Sequence, residues 1–489
     1  MADDPAPQSP QSPPSPPPQD ALVVTHHTAT VGGQELRYTV TTGTLLLKEE
    51  VQKDGVAEGE KPKAAVFFVA YTLEGAEPGV RPLTFSFNGG PGSSSVWLHL
   101  GLLGPKRVLM DDEGHPTPPP YRLVDNEFSL LDVTDLVFID PVSTGYSRAV
   151  AGEKPGDFHG FKRDIESVGD FIRLYTSRYG RWLSPKHLIG ESYGTTRAAG
   201  LSSYLQGRHG LYLNGIMLVS SVLDFGTLLA QPGNDLPHAL ILPSFTATAW
   251  YHGKLSGELQ AKPLAEVLRE AEAFASGDYA LALLQGDRLN AERRADVRAR
   301  LASLTGLSET YVEQADLRVD IMRFTKELLR SEGRTVGRLD SRFTGSDRDA
   351  AGEAFSYDPA YAAIQGPYTA TFNDYVRRDL SFTSDLPYEI IANLYDWSYK
   401  DFENRYAETG ESLRAAMTQN PHLRVHVSSG FFDLATPYFA TDYTLAHLGL
   451  TAAQRERLSV STYEAGHMMY VQRASLEKLK AELSAFITG

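Results

Sequence analysis

The chain of 489 residues holds 46 Lys and Arg against 61 Asp and Glu, a net charge of -15, and 42% of it is hydrophobic. That suits a large globular core, and without clustered Lys and Arg it excludes binding to nucleic-acid backbones and attraction to anionic membranes. No cysteine is present, which removes disulfides, thiolate metal sites and a cysteine nucleophile together.

Residues 1–20 are mostly Pro, Gln and Ser and read as a disordered or polyproline tail. No basic and apolar leader pattern stands at the N-terminus, so the expected location is cytoplasmic, with a periplasmic or secreted protein as the alternative. From Leu22 the chain alternates in short β-rich runs, Leu22–Val31, Leu36–Leu47 and Val66–Tyr71, with Gly32-Gly33 as a turn signal. Strand and helix then alternate. Leu83–Phe87 and Leu136–Ile139 read as buried strands, and Phe161, Ile165, Val168, Phe171, Ile172 and Tyr175 recur at helical spacing. Two further strands are predicted before Val222, at His187–Gly190 and Gly215–Val222.

Beyond Asp224 the pattern becomes polar and helical, over Pro263–Ala275, Ala291–Leu304 and Leu317–Ser331, followed by a looser Tyr, Asp and Pro-rich section through Tyr357–Tyr375. Strand character returns at Leu423–Ser428 and Leu458–Tyr463, with a last helix over Ala474–Ile487. The expected division is a tail (1–20), an α/β core (21–224), a helical cap insertion (225–415) and the remainder of the core (416–489).

The chemistry concentrates at Gly190-Glu191-Ser192-Tyr193-Gly194, between a strand and a helix. Gly-x-Ser-x-Gly in that context is a nucleophile elbow, in which the glycines permit a tight turn that lifts the serine hydroxyl clear of the sheet edge. A serine needs a base, and the base an orienting acid. In the α/β-hydrolase order the acid and then the histidine follow the serine, each after a strand. His467, in Glu464-Ala465-Gly466-His467, follows the last predicted strand, and Asp433 follows the strand before it. Asp224 occupies a position that can also supply the acid, and otherwise reads as a helix cap. The loop Asn88-Gly89-Gly90-Pro91-Gly92-Ser93 follows an early strand, where an oxyanion-binding amide is expected.

These blocks, Asn88 to Ser94, Gly190 to Tyr193 and Gly466-His467, resemble the signatures of the serine carboxypeptidases, as do Gly101 to Pro105 and Phe138 to Ser147. The resemblance covers about 80–225 and 425–470 and marks a cysteine-free, bacterial-type member. It implies an α/β-hydrolase fold: a central, mostly parallel sheet flanked by helices, with a large, mainly helical cap. It further implies Ser192 as nucleophile, His467 as general base and then acid, and Asp433 as its partner. The amides of Gly90 and Tyr193 would form the oxyanion hole, while Asn88 and Glu191 would bind the substrate's terminal carboxylate.

Two carboxylates side by side repel, so Glu191 should keep a proton and activity should favour acid pH. The chain departs from the family's usual pattern in places: Ser86 and Ser93 stand where the block usually carries Trp and Cys, and Gly194-Thr195 replaces the usual small residue plus Gly after the elbow Tyr. The expected activity is release of C-terminal residues from peptides through an acyl-enzyme. An esterase or acyltransferase using the same triad is the alternative. Peptides are the expected partners and a homodimer is left open. No cofactor or metal is implied, because the mechanism needs none and the histidines lack ligand spacing.

Overall fold

The computed structural model describes residues 18–394 and 396–489. The Pro-rich tail therefore lies, through residue 17, outside the described residues. Asp20, its last residue, is fixed: one carboxylate oxygen accepts the amide of Leu46 at 2.8 Å and the other pairs with Arg178.

One sheet of ten strands organises the molecule. Its strands are β1 (Ala21–Val31), β2 (Gln34–Lys53), β3 (Val56–Leu73), β4 (Leu83–Phe87), β5 (Asp135–Ile139), β6 (Arg148–Ala149), β7 (Lys186–Ser192), β8 (Gly215–Ser221), β9 (Arg424–Gly430) and β10 (Leu458–Tyr463). Their spatial order is β1-β2-β3-β5-β4-β7-β8-β9-β10, with β6 also on β3. From β1 to β5 the neighbours run antiparallel; from β5 to β10 they run parallel. This is the α/β-hydrolase arrangement, and it puts the carboxyl ends of β4, β7, β9 and β10 on one edge.

The parallel strands are apolar because both faces are covered. On one face Phe85, Val137 and Leu218 pack against Ile165, Phe171 and Leu201 of the helices Phe161–Arg178 and Tyr193–His209. On the other, Phe138, Ile189 and Val219 meet Leu476, Leu479 and Leu483 of the last helix, Arg473–Thr488. Burying one such large side chain stabilises the fold by about 1.5–3 kcal/mol, so these two layers carry most of the cohesion.

Two regions differ from the sequence expectation. β2 and β3 run well past the core as a two-stranded ribbon that pairs Glu49 with Lys61 and Lys53 with Val56. Asp54 (φ 51°) and Gly55 (φ 79°) close it, as a two-residue hairpin turn requires. Further on, the section expected to be loose around Tyr357–Tyr375 forms the helix Pro359–Arg378. Asp358 caps it, accepting the amide of Ala360 at 2.9 Å, and Pro359 sits in the first turn, where a missing N–H is harmless.

The segment between β8 and β9 divides by packing. Helices Leu236–Tyr251, Leu264–Phe274 and Ala291–Thr305 share a hydrophobic cluster of their own. The helix Pro359–Arg378 instead buries Tyr368, Phe372 and Tyr375 against Trp97 and Phe138 of the sheet layer. No described helix is long and apolar enough to cross a membrane.

Candidate active site

Ser192 ends β7 with φ 60° and ψ -130°, a conformation that costs a non-glycine residue energy and that only a tightly determined turn sustains. The glycines around it are there because nothing larger fits. A Cβ on Gly190 would stand 2.1 Å from the carbonyl oxygen of Gly194, and one on Gly89 would stand 2.4 Å from the amide nitrogen of Tyr193. The glycine loop after β4 therefore lies directly against the elbow. Tyr193 opens the helix Tyr193–His209, so its N–H is one of the first-turn amides that a helix leaves without an internal acceptor.

The loop is braced from below. The Asn88 side-chain oxygen accepts the amide of Leu98 at 3.1 Å, and the Asn88 carbonyl accepts Nη1 of Arg197 at 2.6 Å. Arg197 is itself fully buried and donates from Nε to Asp164 at 2.8 Å. Asp140, after β5, accepts the amide of Ser95 at 2.8 Å, which gives the Phe138–Ser147 stretch a supporting role. Ser93, in the place of the family's cysteine, accepts the indole N–H of Trp97 at 2.8 Å.

Asp433 and His467 come from the loops after β9 and β10. Oδ2 of Asp433 lies 2.7 Å from Nδ1 of His467, and the carboxylate is completely buried. It also accepts the amides of Ala435 and Thr436 on Oδ1, at 2.7 and 3.0 Å, and the Thr436 hydroxyl on Oδ2 at 2.6 Å. Burial alone would lower the pKa of His467, but the charge and hydrogen bond of Asp433, assisted by Glu191, raise it above its ordinary value. The backbone of His467 is held at both ends: its N–H donates to Leu339 at 2.7 Å, and its carbonyl accepts the Ser220 hydroxyl at 2.6 Å. Asp224 does not join them; it caps the short helical turn Phe225–Thr227 through the amide of Gly226 at 2.8 Å.

Ser192 and His467 line one cavity of about 400 Å³ together with Asn88, Gly90, Glu191 and Tyr193. No hydrogen bond joins Ser192 to His467 among the described residues, as is common before substrate draws such pairs together. Every site residue expected from the sequence thus reaches this cavity or, for Asp433, supports it from behind. A larger groove, about 810 Å³, lies between the ribbon and the helix Phe161–Arg178 and contains none of these residues.

Glu191 is buried, and its pKa rises from 4.5 to about 7, chiefly through desolvation. Its Oε2 accepts the hydroxyl of Tyr470 at 2.5 Å. Nδ2 of Asn88 is buried without a partner among the described residues and lies close enough to favour the charged form of Glu191. Tyr470, Thr436 and Leu339 were not singled out in the sequence. Tyr470 and Thr436 each stand three residues past a named site residue, which was the available signal.

The sequence matches the profile of serine carboxypeptidases over residues 49–481. The chain belongs to that family. Among its relatives, the pheromone-processing carboxypeptidase KEX1 of Saccharomyces cerevisiae is 32% identical over 151 residues, 29% of this chain and 20% of that protein. Serine carboxypeptidase-like 36 of Arabidopsis thaliana is 28% identical over 180 residues, 35% of each. The alignments thus span between a fifth and about a third of these relatives' length. A thermophilic esterase from Thermogutta terrifontis, solved with malate bound, aligns over 91% of this chain and 100% of its own, at 12% identity and a TM-score of 0.37.

The cytoplasmic location expected from the sequence is corrected by this kinship, because membership of the serine carboxypeptidases fits the secreted alternative instead. The expectation rested on a leader pattern not found, and a cysteine-free acidic composition fits either side of a membrane, so it held no information about compartment.

Proposed function

We propose that this serine carboxypeptidase family member removes residues one at a time from the C-terminus of peptides through an acyl-enzyme. Oγ of Ser192 attacks the last peptide carbonyl while Nε2 of His467 takes its proton. Asp433 holds Nδ1–H and stabilises the imidazolium that results. The oxyanion is received by the N–H groups of Gly90 and Tyr193. As the tetrahedral intermediate collapses, the C–N bond breaks and His467 returns the proton to the leaving amine. Water, deprotonated by the same ring, then attacks the ester, and Ser192 leaves with the proton restored.

The observation that carries this reading is Glu191. A carboxyl whose pKa is raised to about 7, and which therefore carries a proton at acidic pH, stands beside a nucleophile and next to the unpartnered amide of Asn88, and the two offer donors to a substrate's terminal carboxylate. An ionised Glu191 would repel that group, so activity is greatest at acidic pH and fades as Glu191 loses its proton. The charge of Glu191 is one of the causes that raise the pKa of His467, so protonating Glu191 removes that contribution and leaves the imidazole freer to act as base at acidic pH. Incubation with a blocked decapeptide, followed by mass spectrometry, tests the reading. A ladder of products shortened one residue at a time from the C-terminus supports it. Internal cleavage, or an intact peptide beside rapid hydrolysis of simple esters, contradicts it.

A further inference from the structure

The segment Gly337–Arg342 is pinned to the catalytic loops by its backbone. The carbonyl of Arg338 accepts the amide of Leu434 at 3.0 Å, and that of Leu339 accepts the amide of His467 at 2.7 Å. Ser341 donates to the carbonyl of Phe432 at 3.0 Å, and Asp340 accepts the amide of Gly466 at 3.1 Å. On the other side Asp358 accepts the amides of Arg338 and Leu339 at 3.2 and 3.0 Å.

The side chains of this segment meet different fates. Arg342 is buried and paired with Asp340 at 2.7 Å. Arg338 is exposed and lines the cavity of Ser192 and His467. Its guanidinium forms no ion pair or hydrogen bond among the described residues, and the neighbouring carboxylate, Asp358, spends both oxygens on backbone amides. The charge of Arg338 is felt at His467. Around it the cavity wall is largely apolar, with Trp97, Val222, Phe225, Tyr361, Ile364 and Met468, and its carboxylate, Glu191, lies on the buried floor.

An unpaired cation on a firmly held backbone, facing a mainly apolar wall beside the reacting centre, has one natural complement, a carboxylate brought in by the ligand. The terminal carboxylate already has Asn88 and Glu191 in the reading above. We propose that Arg338 is a specificity residue that selects peptides carrying an acidic side chain, Asp or Glu, next to the scissile bond. This rests on the proposed carboxypeptidase activity, and the guanidinium adds affinity for such peptides while penalising a basic residue at the same place.

The test uses N-blocked dipeptides with Glu, Gln or Lys in either position, as free acids and as amides. Affinity is read by calorimetry on the Ser192→Ala protein and turnover as kcat/KM on the Ser192 protein. Arg338 is exposed, so its variants are expected to fold, which circular dichroism checks. The expected result is a preference for Glu over Gln of about tenfold at one position, the scale of one charge-assisted contact. Arg338→Gln removes that ratio, Arg338→Lys keeps part of it, and Arg338→Glu turns the preference toward Lys. Equal Glu and Gln ratios in all proteins overturn the proposal. So does a loss in Arg338→Gln that affects every free acid alike, which would assign the guanidinium to the terminal carboxylate. Absent turnover with the binding preference intact would sink the proposed activity and leave the role of Arg338 standing.

Discussion

Leu339 and His467 are joined backbone to backbone, the carbonyl of the first accepting the amide of the second at 2.7 Å. A residue of the long segment between β8 and β9 therefore helps to hold the backbone that carries the imidazole. The acid loop is tied to the same segment through Arg338 and Leu434. Positioning of the histidine is thus shared between the sheet, which delivers the two loops, and the segment between β8 and β9, which is bonded to both.

Asp433 and Asp224 make the first contrast. Asp433→Asn keeps the shape of the pair but lets His467 adopt the wrong tautomer, so kcat should fall by roughly a factor of 10⁴, as for this change in other Ser-His-Asp triads. Asp224→Asn touches a capped turn away from the histidine and should change kcat by no more than about twofold. Steady-state kinetics on both variants, with circular dichroism as a folding check, measures the difference. Similar losses in the two would place the acid elsewhere.

Glu191→Gln should erase the alkaline fall in peptidase activity, because an amide donates at every pH. In the unmodified protein the fall is centred near the Glu191 value of about 7. The same shift bears on stability. The folded pKa lies above the unfolded one, so the contribution is complete below 4.5 and is lost as pH rises through about 7. The full span is roughly 3 kcal/mol. Between pH 5 and 8 the melting temperature of the unmodified protein should drop further than that of Glu191→Gln. Parallel curves would mean that Glu191 ionises normally in the fold.

Arg197 and Asp164 form a buried pair whose second task is to hold the Asn88 carbonyl. Asp164→Ala leaves a buried guanidinium uncompensated and should cost about 3–5 kcal/mol. Glu353→Ala breaks only the exposed pair with Arg323 and should cost less than about 1 kcal/mol. Urea unfolding of the two variants provides the comparison, and equal midpoints would contradict it.

What was legible in the sequence follows from the range of the interactions concerned. The elbow is encoded in one short stretch of chain by a strand, two glycines and the start of a helix, and the chain order of Asp433 and His467 follows from the strands before them. The ribbon beyond Leu47 was missed because it is polar on both faces, so no alternation marks it; Asp54-Gly55 was the signal present. The helix Pro359–Arg378 was obscured by Pro367 and Gly366 in its middle, although Asp358-Pro359 is a good helix start. The contacts of Arg338 with Leu434 and of Leu339 with His467 join residues far apart in the chain and leave no local pattern. The compartment was misread for a different reason, since an absent motif is weak ground for a location.

The most direct measurement is kcat/KM for an N-blocked dipeptide and for its C-terminal amide from pH 4 to 8, beside Ser192→Ala, a range that brackets a carboxyl of raised pKa. Cleavage of the free acid far above the amide, strongest at the acid end and absent in Ser192→Ala, is the predicted result. Equal rates for acid and amide, or activity that survives in Ser192→Ala, would contradict the assignment of Glu191 and Ser192.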